Sequence, residues 1–300
     1  MMKRYAVLDI GGGTIKHAVM DEQAETLKSG ITKTPVQGMN ATFAILKDIV
    51  REYQKEYTLN GVAMSVPGAV EIVTGYIHFA GAVTDLMGRN VKEELNDLGL
   101  PIELDNDVNC VTLAEKWKGS AMDCDNFVCI AAGTGIGGGI FINGKLYRGR
   151  LGMAGEFGLM ALRFDNKLET VMQRGSFSAL GSTRALVEDA SVRMDFAVTG
   201  EDIFRLADQG NSDALAALEN FYDALAIGTA NLIHVLAPEK ILIGGGVSAQ
   251  TVVVKEVRNR IARIRKPALD ITEVESCSFK NEAGKVGALY HFLTMQGILS

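Results

Sequence analysis

The sequence predicts an α/β protein made of two related lobes, and two observations lead to this prediction. First, a buried strand that ends in a run of glycines occurs twice, at Arg4–Ile10 before Gly11 and at Phe127–Ala132 before Gly133. Second, apolar strands alternate along the chain with segments that have the 3.6-residue periodicity of helices. A pattern that opens each half of a chain is typical of two related domains rather than one long sheet.

The first half begins with a strand, a turn of three glycines and a second strand. A polar pair, Asn106-Asp107, later separates a short strand from a helix. The predicted elements of this half are strands at 4–10, 16–20 and 101–104 and helices at 41–52 and 108–117.

The second half repeats the strand, glycine turn and strand, and Asn143-Gly144 then indicates a tight hairpin. The predicted elements of this half are strands at 127–132, 140–142, 145–147 and 241–243 and helices at 178–190, 212–236, 247–264 and 285–295. The predicted domains are residues 1–118, joined by the helical end at 285–300, and residues 119–284.

Composition limits the classes of partner. The chain has 300 residues and a net charge of -6, without any run of Lys and Arg, so we expect no nucleic acid partner. The first apolar run is too short for a signal segment or a membrane span, which predicts a cytoplasmic protein without a membrane partner. The four cysteines lack CxxC spacing, so neither a zinc site nor a disulfide framework is expected.

The two glycine runs are candidate phosphate-binding turns. Residues 133–138 match the pattern G-x-G-x-x-G, but a hairpin rather than a helix follows, which argues against a dinucleotide-binding fold. Glycines in a strand-turn-strand let backbone N–H groups approach phosphate oxygens; a plain hairpin without a ligand is the alternative. Asp9 lies just before Gly11 and could hold Mg²⁺, through water or phosphate, because magnesium is usually bound by one or two carboxylates and substrate phosphates.

Three further positions carry candidate chemistry. Asn106 and Asp107 follow a strand, at the end where open α/β sheets bind ligands; a helix cap is the alternative. Glu156 lies among glycines and could approach a polyhydroxy ligand closely. The glycines Gly245 and Gly246 follow an apolar strand and could face a nucleoside, or form an ordinary loop.

In this order, the motifs resemble the ROK family of sugar kinases and repressors, within the actin/hexokinase superfamily. The matching segments are Asp9-Ile10-Gly11-Gly12, Val66-Pro67-Gly68, Asn106-Asp107-Val108-Asn109, Gly133-Thr134-Gly135-Ile136-Gly137-Gly138 and Ile243-Gly244-Gly245-Gly246-Val247. The resemblance implies a two-lobed actin/hexokinase-like (ribonuclease H-like) α/β fold with the active site in the interdomain cleft. It also implies ATP and a sugar as substrates, Mg²⁺ as cofactor, and is compatible with a homodimer.

The resemblance assigns roles residue by residue. Asp107 becomes the general base, Asn106 and Glu156 become sugar ligands, Gly68 a backbone contact to the sugar, and Asp9 the magnesium and phosphate residue. The positions implied to border ATP are Gly11, Gly12, Gly13, Thr14, Gly133, Thr134, Gly135, Gly245 and Gly246.

The chain departs from the family pattern at three places. Gly13 stands where the family usually has Thr, with Thr14 one place later, and Leu159 replaces a histidine that usually faces the anomeric end of the sugar. The family's cysteine-rich zinc segment is missing near 173–178, which predicts a zinc-free member.

These departures make the chain most similar to zinc-free β-glucoside kinases, which transfer the γ-phosphoryl group of ATP to a sugar 6-hydroxyl. Glucokinase and N-acetylmannosamine kinase are the enzyme alternatives, and a non-catalytic sugar-sensing ROK protein is a distant one. Leu159 is apolar and offers no hydrogen bond to a free anomeric hydroxyl, which favours a substrate with a group attached at C1. The other interpretation is that Leu159 only packs in the core.

Overall fold

The computed structural model describes residues 2–164, 166–246, 250–279 and 281–299. Its contacts divide the chain into two compact units. Unit 1 comprises Met1–Met122, Arg148–Ala154 and Asn281–Ser300, and unit 2 comprises Asp123–Tyr147 and Gly155–Lys280. The segment Arg148–Ala154 therefore belongs with unit 1 although both of its sequence neighbours belong to unit 2.

Unit 1 contains strands, helices and three single 3₁₀ turns. The strands are β1 (Arg4–Ile10), β2 (Thr14–Asp21), β3 (Thr26–Lys33), β4 (Val62–Val66), β5 (Ala69–Glu71), β6 (Tyr76–Phe79) and β7 (Ile102–Asn106). The helices are α1 (Thr42–Gln54), α2 (Val91–Glu94), α3 (Asp107–Lys118) and, near the carboxyl terminus, α10 (Ala283–Met295), and the 3₁₀ turns are Thr84–Leu86, Asn96–Leu98 and Arg150–Gly152.

The main sheet of unit 1 has the strand order β3-β2-β1-β4-β7. Strands β1, β2 and β3 form an antiparallel meander, whereas β4 and β7 run parallel to β1. The register places Asp9 beside Ser65 and Ser65 beside Asp105, close to the carboxyl ends of the three parallel strands. Polar residues of three separate sequence segments therefore meet at one edge of the sheet, where open α/β sheets bind ligands.

Both faces of this sheet are buried at its central strands β1 and β4, as expected for strands covered by helices, whereas the edge strand β3 has no buried residue. One face of β1 contributes Leu8 to a core that includes Phe43 of α1, and the other contributes Tyr5 to a core that includes Phe292 of α10. Helix α10 also packs closely on α3: a Cβ added to Gly287 would lie 1.6 Å from a backbone oxygen of α3. Only glycine permits that approach.

Unit 2 has the same plan. Its strands are β8 (Phe127–Ala132), β9 (Ile136–Ile142), β10 (Lys145–Tyr147), β11 (Lys240–Gly244) and β12 (Glu273–Ser276). Its helices are α4 (Phe177–Gly181), α5 (Thr183–Met194), α6 (Gly200–Asp208), α7 (Ser212–Leu236), α8 (Thr251–Arg265) and α9 (Ala268–Ile271), with short turns at Phe157–Leu159, Leu168–Thr170 and Val171–Gly175.

The sheet of unit 2 has the order β10-β9-β8-β11-β12, with an antiparallel meander and two further parallel strands. This order and these directions are those of the sheet in unit 1. The repeat that the two glycine-rich hairpins predict is therefore present in the topology of the two sheets. Asn143 and Gly144 both have positive φ, at 53° and 70°, as the predicted tight hairpin between β9 and β10 requires.

Two helix predictions were wrong in detail. The predicted helix 178–190 is two helices, because Ser182 has extended backbone (φ -80°, ψ 158°) and its side chain caps α5 by accepting from the backbone N–H of Ala185. The helix predicted at 247–264 begins at Thr251; residues 247–249 lie outside the described residues. Among the described helices, none has the length and apolar character needed to cross a bilayer.

Candidate active site

Asp9 lies at the carboxyl end of β1, next to the glycine turn. The Ser65 hydroxyl donates to Asp9 Oδ1 at 2.7 Å, and Lys16 Nζ lies 4.0 Å from Asp9 Oδ2. Burial raises the pKa of Asp9, and this effect is opposed by the Ser65 hydrogen bond and by the charges of Lys16 and Lys285. The predicted magnesium residue is thus a partly buried carboxylate whose pKa lies above its usual value, because burial outweighs the Ser65 hydrogen bond and the lysine charges.

The turn between β1 and β2 is fixed by a hydrogen bond within it and by hydrogen bonds from Thr34, which follows β3. Gly11 N–H donates to the carbonyl of Thr14 at 2.9 Å, and Thr34 N–H donates to the carbonyl of Gly13 at 3.1 Å. The hydroxyl of Thr34 donates to the carbonyl of Gly11 at 2.6 Å. A Cβ added to Gly13 would meet no described residue within 4 Å, whereas one on Gly12 would lie 3.3 Å from the Cβ of Ala82. The turn is ordered, and open space lies beside Gly13.

Asn106 organises the end of β7 and the start of α3. Its side-chain oxygen accepts from the backbone N–H groups of Val108 at 2.9 Å and Asn109 at 3.1 Å, so Asn106 is the N-cap of α3. Its Nδ2 donates to the carbonyl of Gly68 at 3.0 Å and to Asp107 Oδ1 at 2.9 Å. The helix-cap interpretation is therefore correct, and the same side chain also joins two of the predicted site residues.

Asp107 is the first residue of α3 and is half-buried. Its Oδ1 accepts from Val108 N–H at 2.9 Å in addition to Asn106 Nδ2. Two donors on one oxygen fix the orientation of the carboxylate. Among the predicted residues of unit 1, Gly68, Asn106 and Asp107 form one connected group.

Gly68 occupies a position that only glycine can take. Its φ is +108°, and an added Cβ would lie 1.8 Å from the carbonyl oxygen of Phe79. The backbone of the β4–β5 turn therefore packs closely against the backbone at the end of β6.

Asp105 forms a buried network that the sequence analysis did not assign. Its side chain is 1% exposed, and Oδ1 accepts from Asn106 N–H at 2.8 Å and from Asn109 Nδ2 at 3.0 Å. Its Oδ2 accepts from Arg148 Nε at 3.0 Å and Nη2 at 2.5 Å, and His291 Nδ1 lies 3.6 Å away. Burial lowers the pKa of His291. Through these contacts Asp105, the residue before the Asn106-Asp107 pair, connects β7 with α3, with α10 and with the segment Arg148–Ala154.

In unit 2, the loop Gly133-Thr134-Gly135 connects β8 and β9. Gly133 N–H donates to the carbonyl of Gly135 at 2.9 Å, which closes the turn. Thr183, the first residue of α5, donates through its N–H to the carbonyl of Gly133 at 3.0 Å. Ser178 Oγ accepts from the N–H of Ile136 at 2.8 Å. The glycine loop is thus fixed by the starts of two helices.

Gly245 brings the end of β11 to the same edge of the sheet. Its φ is +93°, and an added Cβ would lie 2.2 Å from the carbonyl oxygen of Ala132, the residue before Gly133. Among the residues that the structure describes, none lies within 4 Å of a Cβ built on Gly246. The predicted phosphate loop and the predicted adenosine turn therefore lie side by side at the carboxyl ends of β8 and β11.

Glu156 lies in a segment that packs on β9 through glycines. Gly155 has φ +88°, and an added Cβ would lie 2.2 Å from the carbonyl oxygen of Gly138. In the part of the chain that the structure describes, the Glu156 carboxylate has no hydrogen-bond or ion-pair partner. Desolvation raises the pKa of Glu156, although the residue as a whole is exposed. Leu159 is 55% exposed, so core packing does not explain it.

The residues present fit a magnesium ion better than a structural metal. Across residues 2–164, 166–246, 250–279 and 281–299, no group of three or more His, Cys, Asp or Glu side chains could enclose a metal. Asp9 provides one carboxylate beside a glycine turn with open space, and Mg²⁺ is usually held by one or two carboxylates together with substrate phosphates.

Comparison with known proteins gives one consistent result. The model of the ROK family matches residues 5–295. The beta-glucoside kinase of Listeria innocua is 34% identical over 97% of this chain and 97% of its own length. A ROK family protein from Streptococcus pneumoniae, solved in complex with sucrose, is 30% identical with a TM-score of 0.87, covering 99% of this chain and 100% of that chain.

A ROK family glucokinase from Streptomyces griseus, solved in complex with glucose and AMPPNP, is 27% identical with a TM-score of 0.84, covering 98% of this chain and 100% of that chain. Agreement over the full length of these structures confirms the predicted actin/hexokinase-like fold class. The match of the family model across nearly the whole sequence shows that the chain belongs to the ROK family.

Proposed function

We propose that this chain is a carbohydrate kinase that transfers the γ-phosphoryl group of ATP to the 6-hydroxyl of a hexopyranose, with a β-glucoside as its preferred substrate. The observation that carries the proposal is the arrangement around Asp107. Asn106 caps α3 and also donates to the carbonyl of Gly68, which holds Asp107 at the carboxyl end of a parallel strand.

Asp107 is the general base. Phosphoryl transfer requires little covalent chemistry from the protein; it requires in-line positioning, charge neutralisation and a group that orients and deprotonates the incoming hydroxyl. Two N–H donors hold the Asp107 carboxylate in one orientation. Asn106, Gly68 and Glu156 bind the sugar and direct its 6-hydroxyl towards Asp107.

The nucleotide is bound by backbone rather than by large side chains. The residues assigned to the phosphates are Gly11, Gly12, Gly13, Thr14, Gly133, Thr134 and Gly135, and those assigned to adenosine are Gly245 and Gly246. Glycine loops that are already fixed by hydrogen bonds, as that of Gly133 is by Thr183, present N–H groups to phosphate oxygens without further ordering.

Asp9 is the residue that holds Mg²⁺, through water or the phosphates. When bound, Mg²⁺ would supply positive charge that offsets the negative charge developing on the phosphoryl group during transfer. The Ser65 hydroxyl holds one oxygen of the Asp9 carboxylate, and Lys16 lies 4.0 Å from the other.

Two findings support a glucoside rather than free glucose. Leu159 is 55% exposed and has no polar group for a free anomeric hydroxyl, so a sugar with a substituent at C1 loses no hydrogen bond there. The beta-glucoside kinase of Listeria innocua is 34% identical along nearly its full length, which favours the β-anomer, and the similar Streptococcus pneumoniae protein was solved with sucrose, whose glucose unit carries a substituent at C1. Glucokinase activity is the alternative, favoured by the similarity to the Streptomyces griseus enzyme.

The two predicted domains have different roles in this proposal. Residues 1–118 with 285–300 supply the base and most sugar contacts, and residues 119–284 supply most nucleotide contacts. We place the enzyme in the cytoplasm, where ATP and imported glycosides meet.

The proposal is tested by ADP release with glucose, N-acetylmannosamine, cellobiose and an aryl β-glucoside as acceptors. The expected result is the highest kcat/KM for a β-glucoside, with phosphorus attached to O6 in the NMR spectrum of the product. A clear preference for glucose or N-acetylmannosamine overturns the substrate assignment, and the absence of turnover with every sugar overturns the kinase assignment.

A further inference from the structure

Residues 79–82 leave strand β6 and connect two of the predicted site motifs within unit 1. At one end, the Cβ that Gly68 lacks would lie 1.8 Å from the carbonyl oxygen of Phe79. At the other end, the Cβ that Gly12 lacks would lie 3.3 Å from the Cβ of Ala82. The segment therefore extends from the sugar-side turn to the phosphate turn in three residue steps, at most about 11 Å.

Phe79 is the one large side chain of residues 79–82, and it is not part of the core. Its exposed fraction is 56%, whereas Ile77, two residues earlier, and Ala80, the next residue, are fully buried. A Cβ added to Gly81 would lie 3.4 Å from Cε1 and Cζ of the Phe79 ring, so part of the ring rests above a glycine. Ligand sites commonly combine a few placed polar groups with an accessible aromatic surface of this kind.

We propose that Phe79 is a specificity-determining residue that packs against the aromatic or apolar group attached to C1 of the sugar. The inference rests on the proposed function. Gly68 adjoins the carbonyl of Phe79, and the Gly68 carbonyl accepts from Asn106 Nδ2, so Phe79 borders the residues that bind the sugar in the proposed function. Its exposed ring is then available to a group that extends from the sugar at C1. Glucose has no such group, so Phe79 contributes little to its binding.

The test compares kcat/KM for an aryl β-glucoside and for glucose in the wild type, Phe79→Ala, Phe79→Leu and Phe79→Tyr. The control is Phe196→Ala, because Phe196 in unit 2 is also 56% exposed. Phe79→Ala should lower kcat/KM for the aryl β-glucoside about three- to tenfold and leave that for glucose nearly unchanged, as expected for loss of one aromatic pair. Phe79→Leu should give an intermediate loss, and Phe79→Tyr and Phe196→Ala should resemble the wild type.

The outcomes separate this inference from the proposed function. If Phe79→Ala and Phe79→Leu lower kcat/KM for both sugars equally, or for neither, the inference is overturned and the kinase assignment stands. If the wild type phosphorylates glucose but no glycoside, the β-glucoside assignment and the inference are both overturned. Unfolding midpoints equal to that of the wild type verify that the losses are not losses of folded protein.

Discussion

The ion pair between Arg148 and Asp105 can be tested by the substitution Arg148→Met. The Asp105 side chain is 1% exposed and accepts two hydrogen bonds from Arg148 on Oδ2, while Arg148 is 25% exposed. Removing one partner of a buried pair costs about 3–5 kcal/mol because the other charge is left without compensation. Asp105 Oδ1 keeps two donors and Arg148 is partly solvated, so we expect a loss at the low end, about 3 kcal/mol.

The cost should depend on pH. His291 Nδ1 lies 3.6 Å from Asp105 Oδ2; burial lowers the pKa of His291, the Asp105 charge raises it and the Arg148 charge lowers it. Without Arg148, protonation of His291 becomes easier and restores a positive charge beside Asp105. The folded variant then binds a proton more readily than the folded wild type, so the stability loss should shrink as pH falls.

Chemical unfolding followed by fluorescence measures this loss. Trp117 is the only tryptophan, and it lies on α3 within unit 1, so its emission reports on the unit that contains the pair. Arg150→Met is the matched control, since Arg150 is an exposed arginine of the same segment and should cost less than about 0.5 kcal/mol. The double variant Asp105→Asn/Arg148→Met should recover part of the loss, because the unpaired charge is gone.

The reasoning is refuted if Arg148→Met loses no more stability than Arg150→Met. It is also refuted if the double variant shows the sum of the two single losses, since residues of one network should not act additively. Because Asp105 accepts from Asn106 N–H, folded Arg148→Met should also have a reduced kcat.

Three further predictions follow from the site. Gly68→Ala should lose about 1–3 kcal/mol from backbone strain alone at φ +108°, whereas Gly13→Ala should unfold near the wild-type midpoint; equal midpoints contradict the assigned strain. Desolvation raises the pKa of Glu156 in the folded state, so the free energy of unfolding should fall as pH rises from the usual carboxyl pKa through the raised one. Glu156→Gln should remove this fall and weaken sugar binding. A variant whose unfolding has the same pH dependence as the wild type contradicts the prediction. A zinc-selective chelator should leave fold and activity intact while activity still requires Mg²⁺, and one zinc per chain by elemental analysis would overturn this.

The sequence was sufficient to predict the position of helices, strands and turns that have a strong local pattern. The strands Arg4–Ile10 and Phe127–Ala132, the long helix Ser212–Leu236 and the Asn143-Gly144 turn all lie where apolar periodicity or turn chemistry puts them. Shorter elements without such a pattern were not predicted, and the β5–β6 hairpin is one example. Its strands have three and four residues, too few for a period to be recognised.

Residues that act through distant partners were not predictable from the sequence. Arg148 follows β10 with no distinguishing neighbours, and its partner Asp105 is 43 positions earlier. The break at Ser182 was also missed, although two signals were available: Gly181 as a helix end and Ser182 as an N-cap before the next helical run. By contrast, Asn106 and Asp107 stood out in the sequence because polar residues at the carboxyl end of a strand lie where helix caps and ligand sites occur, and Asn106 is indeed the N-cap of α3.

The central claim is that Asp107 accepts the proton of the sugar hydroxyl, and the turnover of Asp107→Asn tests it most directly. An asparagine oxygen can still accept from Val108 N–H and from Asn106 Nδ2, so the local structure should persist. The account predicts that kcat falls about 10²- to 10⁴-fold while ATP affinity and the unfolding midpoint stay near wild type. An Asp107→Asn enzyme that keeps more than about a tenth of the wild-type kcat contradicts the assignment of Asp107 as the base.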